Sequence, residues 1–226
     1  MTRRGPIEDY AWPDRLRGHV VTPGPSPRMH GYAVERDIAR HYRFSDATLL
    51  ALTGELPTEG QSHAFDVALT FLAPLPVSDA PTHAAALARI CGSRPSAVLA
   101  TAAIGLAERA RAIVAASAGL LAWLAAPDDA GAPPAAADDA NRESLEALRA
   151  ALAARSIAIE ALARPLSRAD ALIATLFFAG LKTPEQLETA LVMASLPSVV
   201  AEAYSHGVTS FREYPMQLPP FEYEDP

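Results

Sequence analysis

The stretch from residue 28 to residue 57 constrains the fold most, because it predicts two short helices with defined ends. A turn at Gly31 opens it. Ser45 and Asp46 are expected to cap the second helix, and Gly54 to end it. The apolar positions of the first helix fall at helical spacing and face away from its charged positions. These apolar positions are Val34, Ile38 and Tyr42.

The composition extends this helical prediction to the whole chain. Half of the residues are apolar, only 7% are aromatic, and alanine is abundant. Alanine has the highest helix propensity, and its small side chain lets helices approach closely. No stretch shows the alternation of a half-buried strand. The sequence therefore predicts an all-α globule of about ten helices, with no significant sheet, whose apolar stripes are buried by mutual packing.

Two capping boxes predict where helices begin. Thr58 with Gln61 precedes the third helix, and Thr183 with Gln186 precedes a helix near the C-terminus. In each pair the threonine side chain is expected to accept a hydrogen bond from the backbone N–H of the glutamine. The glutamine side chain is expected to accept one from the backbone N–H of the threonine. The second of these helices is expected to run to about Ser195. The proline two residues later is expected to separate it from a last helix.

The most apolar part of the chain lies within one long predicted helix. The helix begins at Ser96 and continues to about Ala126, with a break expected near Gly105 or Gly119. Its most apolar segment, residues 112–126, is shorter than the roughly 20 residues that a membrane span needs. We therefore interpret it as a buried helix and expect no membrane association.

Proline and charge patterns predict how the chain is divided. Residues 1–27 are proline-rich and predict an N-terminal arm, and residues 28–210 predict a single helical domain. Within this domain the acidic, low-complexity segment 127–140 predicts a mobile loop. Residues 211–226 predict an extended C-terminal tail.

Charge and cysteine usage limit the classes of function. The formal net charge of −7 argues against nucleic-acid binding, which requires a basic surface. Cys91 is the single cysteine, so an intrachain disulfide is excluded and a reducing cytoplasm is expected. The first residues lack the apolar run of a secretory signal. The histidine spacings match no common metal site, so we expect no metal.

The opening helices and the Gly-Glu-Leu-Pro-Thr corner that follows them resemble the N-terminal segment of the citrate synthase superfamily. This superfamily includes citrate and 2-methylcitrate synthases and citryl-CoA lyase modules. The resemblance covers residues 28–108 and 167–226 and implies a short, divergent member of the bacterial type. The residues that carry it in the N-terminal segment are Arg28, Gly31, Tyr32, Asp37, Ile38, Phe44, Leu49, Leu50, Gly54, Glu55, Leu56, Pro57 and Thr58.

The resemblance also implies a catalytic apparatus that this sequence lacks. Family enzymes remove a proton from an acyl-CoA methyl group with a carboxylate base, assisted by two histidines. The first histidine's motif falls on residues 108–111, where Arg111 takes its place. No histidine lies between His83 and His206, so the second is missing as well. Arginine does not exchange protons near neutral pH.

Three residues remain as candidates for a site. Asp170 lies one residue from Ala169, where counting along the resemblance places the base, and is our candidate catalytic carboxylate. The alternative is that Asp170 has no catalytic role and is an acidic residue in the first turn of a helix, a position that the helix dipole favours. Arg111 is a candidate for binding a substrate anion, although a solvated kink in a long helix explains it as well. His83, with Arg89 further along its helix, is the other candidate. The alternative is that His83 is a structural histidine at a helix start.

Our hypothesis from the sequence is a citrate-synthase-like protein without catalytic activity. It would act as a regulatory subunit that pairs with itself, as a homodimer, or with an active paralogue, through the alanine-rich residues 97–126. One alternative is an active citrate synthase or citryl-CoA lyase with a rearranged site. Another is a sensor that binds CoA or a di- or tricarboxylate. No cofactor is expected, and a CoA thioester is the ligand that the resemblance implies.

Overall fold

The computed structural model of the protein describes residues 15–126 and 142–208. Its contacts divide the chain into two units, residues 1–56 and residues 57–226. The acidic loop predicted at 127–140 and the tail predicted at 211–226 lie outside the described residues. The predicted domain boundaries stay a prediction.

The first unit begins with a small antiparallel sheet in the order β1-β2-β3. Its strands are β1 (Val21–Thr22), β2 (Arg28–Met29) and β3 (Tyr32–Ala33). His30 and Gly31 connect β2 to β3 with φ angles of 46° and 87°. Positive φ at both central residues is the mark of a tight hairpin turn, and glycine adopts it without a steric penalty.

Two helical segments follow the sheet. A π-helical turn, Val34–Ile38, runs directly into α1 (Ala39–His41), and α2 spans Phe44–Thr53. The predicted cap at Ser45 is wrong, because α2 begins at Phe44 and Arg43 is its N-cap residue. The carboxylate of Asp46 instead accepts from the backbone N–H of Arg43 at 2.8 Å. Gly54 ends α2 with φ 80°, as predicted.

Helices are the regular secondary structure of the described part of the second unit, and the predicted all-α class is confirmed. Among residues 57–126 and 142–208, no helix has both the length and the apolar character of a membrane span. The helices are α3 (Glu59–Leu72), α4 (Ala80–Ile90), α5 (Pro95–Ala116), α6 (Ala118–Ala125), α7 (Arg142–Ala153), a 3-10 turn (Glu160–Ala163), α8 (Arg168–Phe178) and α9 (Pro184–Ser205).

The central helix of this unit is α5, which packs against α4 and α9, while α3 packs against α8 and α9. Many of the side chains between α4, α5 and α9 are small, and the helices approach closely as a result. Buried members of this cluster include Leu75, Ala85, Val98, Ala102, Leu106 and Val199.

The helix break predicted near Gly105 or Gly119 occurs near the second of these glycines and not near the first. The helix continues through Gly105, where the absence of a side chain allows α4 to approach closely. A Cβ built on this glycine would lie 3.1 Å from the Cα of Pro81 in α4. The break falls at Ser117 instead, between α5 and α6. A glycine inside a helix thus marks helix packing here rather than a helix end.

The predicted helix end near Ser195 is also wrong, since α9 continues through Pro197 to Ser205. Proline removes one backbone hydrogen bond, and the packing of α9 against α4 and α5 holds the helix on both sides. Two serine hydroxyls near the proline donate to the end of α3. Ser195 donates to the carbonyl of Leu72 at 2.8 Å, and Ser198 donates to that of Ala73.

Candidate functional site

A cleft of about 420 Å³ lies in the second unit, between the α3–α4 connection, α5 and the start of α8. Prolines 74 and 76 occur in the connection. Because proline disfavours continued helix, the chain between α3 and α4 stays irregular and leaves this space open. The volume is typical of a small-molecule site.

Four of the thirteen lining residues are polar: Asp79, Arg109, Ser167 and Arg168. The other lining residues are apolar, with Phe71, Leu75, Ile113, Leu172 and Leu191 among them. The cleft therefore combines an apolar wall with a small charged group, as ligand pockets commonly do.

The two arginines of the cleft are held in different ways. The Nη2 atom of Arg109 lies 3.4 Å from Oδ2 of Asp79, and both side chains are rather more than one-third exposed. Nη2 of Arg168 donates to the carbonyl oxygen of Phe71 at 2.8 Å. Each guanidinium has five N–H donors, so these contacts use only part of its capacity.

Asp170 is not among the lining residues of the cleft, whereas Ala169 is. The carboxylate of Asp170 accepts from the Ser117 hydroxyl at 2.7 Å and from the Ser167 hydroxyl at 2.9 Å. Ser167 also caps α8 by accepting from the backbone N–H of Asp170 at 3.1 Å. Asp170 thus ties the start of α8 to the junction between α5 and α6.

Arg111 lies on the exposed face of α5 and not in the cleft. Its Nε and Nη2 atoms donate to one carboxylate oxygen of Glu108 at 3.2 and 2.9 Å. Arg109, two residues earlier, is the arginine that lines the cleft. Arg109 follows Gly105 by four residues and so shares the helix face that packs near α4, a face that only the contact of Gly105 with Pro81 identifies.

His83 is half-buried on α4 and does not line the cleft. Its backbone N–H donates to the carbonyl of Asp79 at 2.9 Å. Arg89 stacks on Tyr204 of α9, with its guanidinium carbon 5.4 Å from the ring centroid. None of the three predicted site residues (Asp170, Arg111 and His83) lines the cleft.

A second cavity of about 300 Å³ lies between α6, the 3-10 turn and α8. Lys182 closes one side of it and donates from Nζ to the carbonyl of Phe177 at 2.6 Å. Burial lowers the pKa of Lys182. The pKa of Glu185, nearby in sequence, is lowered by hydrogen bonds from its own backbone N–H and from the side chain of Thr183.

Within residues 15–126 and 142–208, no group of three or more His, Cys, Asp or Glu side chains is arranged to hold a metal ion. Cys91 is a half-buried free thiol.

Comparison with known proteins finds similarity in structure and not in sequence. Neither a protein-family model nor a curated protein sequence matches the chain. Among solved structures, a citryl-CoA lyase from Hydrogenobacter thermophilus matches with a TM-score of 0.62 at 15% identity. The match covers 93% of this chain and 97% of that one. The chain therefore has an all-helical, citrate-synthase-like fold.

Proposed function

We propose that the chain is a citrate-synthase-like subunit without catalytic activity, which binds a ligand in its cleft and pairs with a second copy of itself. The observation that carries this proposal is the environment of Asp170. This carboxylate accepts two serine hydroxyls and lies outside the lining of the cleft. The residue expected to act as the base is therefore used to hold α8 in place.

The chemistry of the lining residues supports the same conclusion. Removing a proton from a thioester methyl group requires a base beside the carbon and an acid beside the developing enolate. Of the described residues that line the cleft, none is a histidine, and Asp79 is the one carboxylate. Asp79 is paired with Arg109. The two arginines bind anions but do not transfer protons near neutral pH.

Turnover by the purified wild-type protein tests this proposal. We expect neither cleavage of citryl-CoA nor condensation of acetyl-CoA with oxaloacetate above the uncatalysed rate. Either reaction at an enzyme-like rate would refute the proposal and favour the alternative of an active enzyme with a rearranged site. Loss of that activity in Asp170→Asn, with the fold intact, would then identify Asp170 as its base.

The proposed surface for pairing is the exposed face of α5. Ile104, a large apolar side chain, is 67% exposed on this face. Glu108, Arg111 and Ala115 follow it on the same face at helical spacing. In an antiparallel pair of such helices, Ile104 of each copy meets Ala115 of the other, and Glu108 meets Arg111. The face is therefore complementary to itself, as a two-fold interface requires.

We expect Ile104→Asp to convert a wild-type dimer into a monomer, because the aspartate would be buried against Ala115 of the other copy without a charged partner. Leu99→Asp is the matched control. Leu99 is 46% exposed on another face of the same helix, so this variant should remain dimeric. Native mass spectrometry measures both. A wild-type protein that stays monomeric at micromolar concentration, alone and when co-expressed with an active relative, would contradict the pairing.

A further inference from the structure

The charge balance of the cleft points to a ligand class that differs from the one implied by the family resemblance. We propose that the cleft binds a monocarboxylate with an apolar body, rather than a di- or tricarboxylate. This inference rests on the proposed function, because it treats the cleft as a binding site and not as a reaction centre.

The charged side chains of the lining match a single negative charge. Arg109 and Arg168 contribute two positive charges and Asp79 one negative charge, which leaves one positive charge in excess. Asp79 already lies 3.4 Å from Arg109 and competes with any ligand for that guanidinium. Each carboxylate of a tricarboxylate requires its own cation or hydrogen-bond donors. A second or third carboxylate would therefore face Asp79 or an apolar wall.

The rest of the lining matches a hydrocarbon body. Beyond the four polar residues, every lining side chain is apolar, from Phe71 and Leu75 on one side to Ile113 and Leu172 on the other. Contact between two apolar surfaces removes both from water and lowers the free energy. Citrate has little apolar surface with which to cover these walls. The cleft volume of about 420 Å³ leaves room for an apolar body of moderate size.

The position of Arg109 indicates which end of the cleft receives the carboxylate. Arg109 lies on α5 beside Asp79, where the α3–α4 connection meets α4. Arg168 lies at the start of α8 and is tethered to Phe71 at the end of α3. In this assignment the ligand carboxylate accepts from the donors of Arg109 that Asp79 leaves free, and its apolar body covers Leu172 and the neighbouring wall.

Isothermal titration calorimetry on the wild-type protein tests the ligand class directly. The probes are octanoate, the neutral analogue octanamide, succinate and citrate. We expect octanoate to bind at one saturable site, and each of the other three to bind at least about tenfold more weakly, which is the size of effect that one charge-assisted hydrogen bond produces. If octanamide binds as well as octanoate, the carboxylate is not recognised and the proposal is wrong. If succinate or citrate binds more tightly, the proposal is also wrong.

Variants of the cleft locate the site. Arg109→Gln should weaken octanoate binding about tenfold or more, and Arg109→Lys should restore part of the loss, because it keeps the charge but not the fork of donors. Arg155→Gln is the matched control: it removes an exposed guanidinium that donates to the carbonyl of Ala151, outside the cleft and outside the proposed pairing face, and should leave binding unchanged. Equal losses in Arg109→Gln and Arg155→Gln would show that octanoate binds elsewhere and would overturn the assignment.

Asp79→Asn removes a negative charge from the cleft, whereas Arg109→Gln removes a positive one. Removing the competing carboxylate should tighten octanoate binding and should improve citrate binding by a larger factor, because the excess positive charge of the cleft rises from one to two. Unchanged affinity for both ligands would contradict the charge balance. The two proposals fail separately: absence of octanoate binding overturns this inference alone, whereas turnover of citryl-CoA overturns the proposed function.

Discussion

Replacing Gly105 with leucine is expected to lower the free energy of unfolding by about 3 kcal/mol. A Cβ at this position would meet the Cα of Pro81 at 3.1 Å, and the remaining leucine atoms would extend further into α4. The obstructing atom belongs to the backbone and cannot rotate away. The variant must therefore separate α4 from α5, which form part of the central packing of the second unit.

Gly60→Ala is the control for this variant. Gly60 lies in the first turn of α3, and a Cβ there would have nothing within 4 Å. Because alanine restricts the unfolded chain and favours helix, this change should stabilise the protein by about 0.5 to 1 kcal/mol. Urea denaturation measures both variants. A Gly105→Leu protein as stable as the wild type would show that α4 and α5 do not pack as closely as described.

Removing the Asp170 carboxylate should have an effect of similar size. We expect Asp170→Ala to lower the free energy of unfolding by about 3 kcal/mol, because two hydrogen bonds to a charged acceptor are lost. The Ser117 hydroxyl, whose residue is only 2% exposed, would lose its acceptor in the interior. Ser167 would lose the acceptor of its own hydroxyl as well.

A double-mutant cycle separates this structural role from a general loss of stability. Ser117→Ala and Asp170→Ala should be coupled by about 1 to 3 kcal/mol, because each removes the same hydrogen bond. Ser205→Ala, combined with Asp170→Ala, is the control pair. Ser205 donates to the carbonyl of Glu202 in α9 and makes no contact with Asp170, so the two effects should add. Additive effects for Ser117 and Asp170 would contradict the bond between α8 and the α5–α6 junction.

Local signals in the sequence predicted helix starts well. The boxes at Thr58–Gln61 and Thr183–Gln186 are both formed, because a capping box depends on residues three positions apart and little else. The predictions of a helix break at Gly105 and of a helix end near Ser195 were wrong for the opposite reason. At both positions, contacts with other helices decide whether the helix continues.

The candidate site was predictable only in part. The sequence indicated that α5 carries arginines near the expected position of a catalytic histidine. It favoured Arg111 as the binding residue, whereas the arginine of α5 that lines the cleft is Arg109. Alanine occurs on both the buried and the exposed faces of this helix, so hydrophobic periodicity does not show which arginine faces inward. The pairing of Asp79 with Arg109 joins residues thirty positions apart and depends on how α4 packs on α5.

The central claim of the proposed function is that this citrate-synthase-like fold has a cleft that does not remove protons. The most direct test is exchange of the acetyl-CoA methyl hydrogens with deuterated water, followed by NMR in the presence of the wild-type protein, with and without oxaloacetate. We predict exchange at the rate of the protein-free control. Faster exchange that is lost in a folded Asp170→Asn variant would show that Asp170 acts as a base and would contradict the claim.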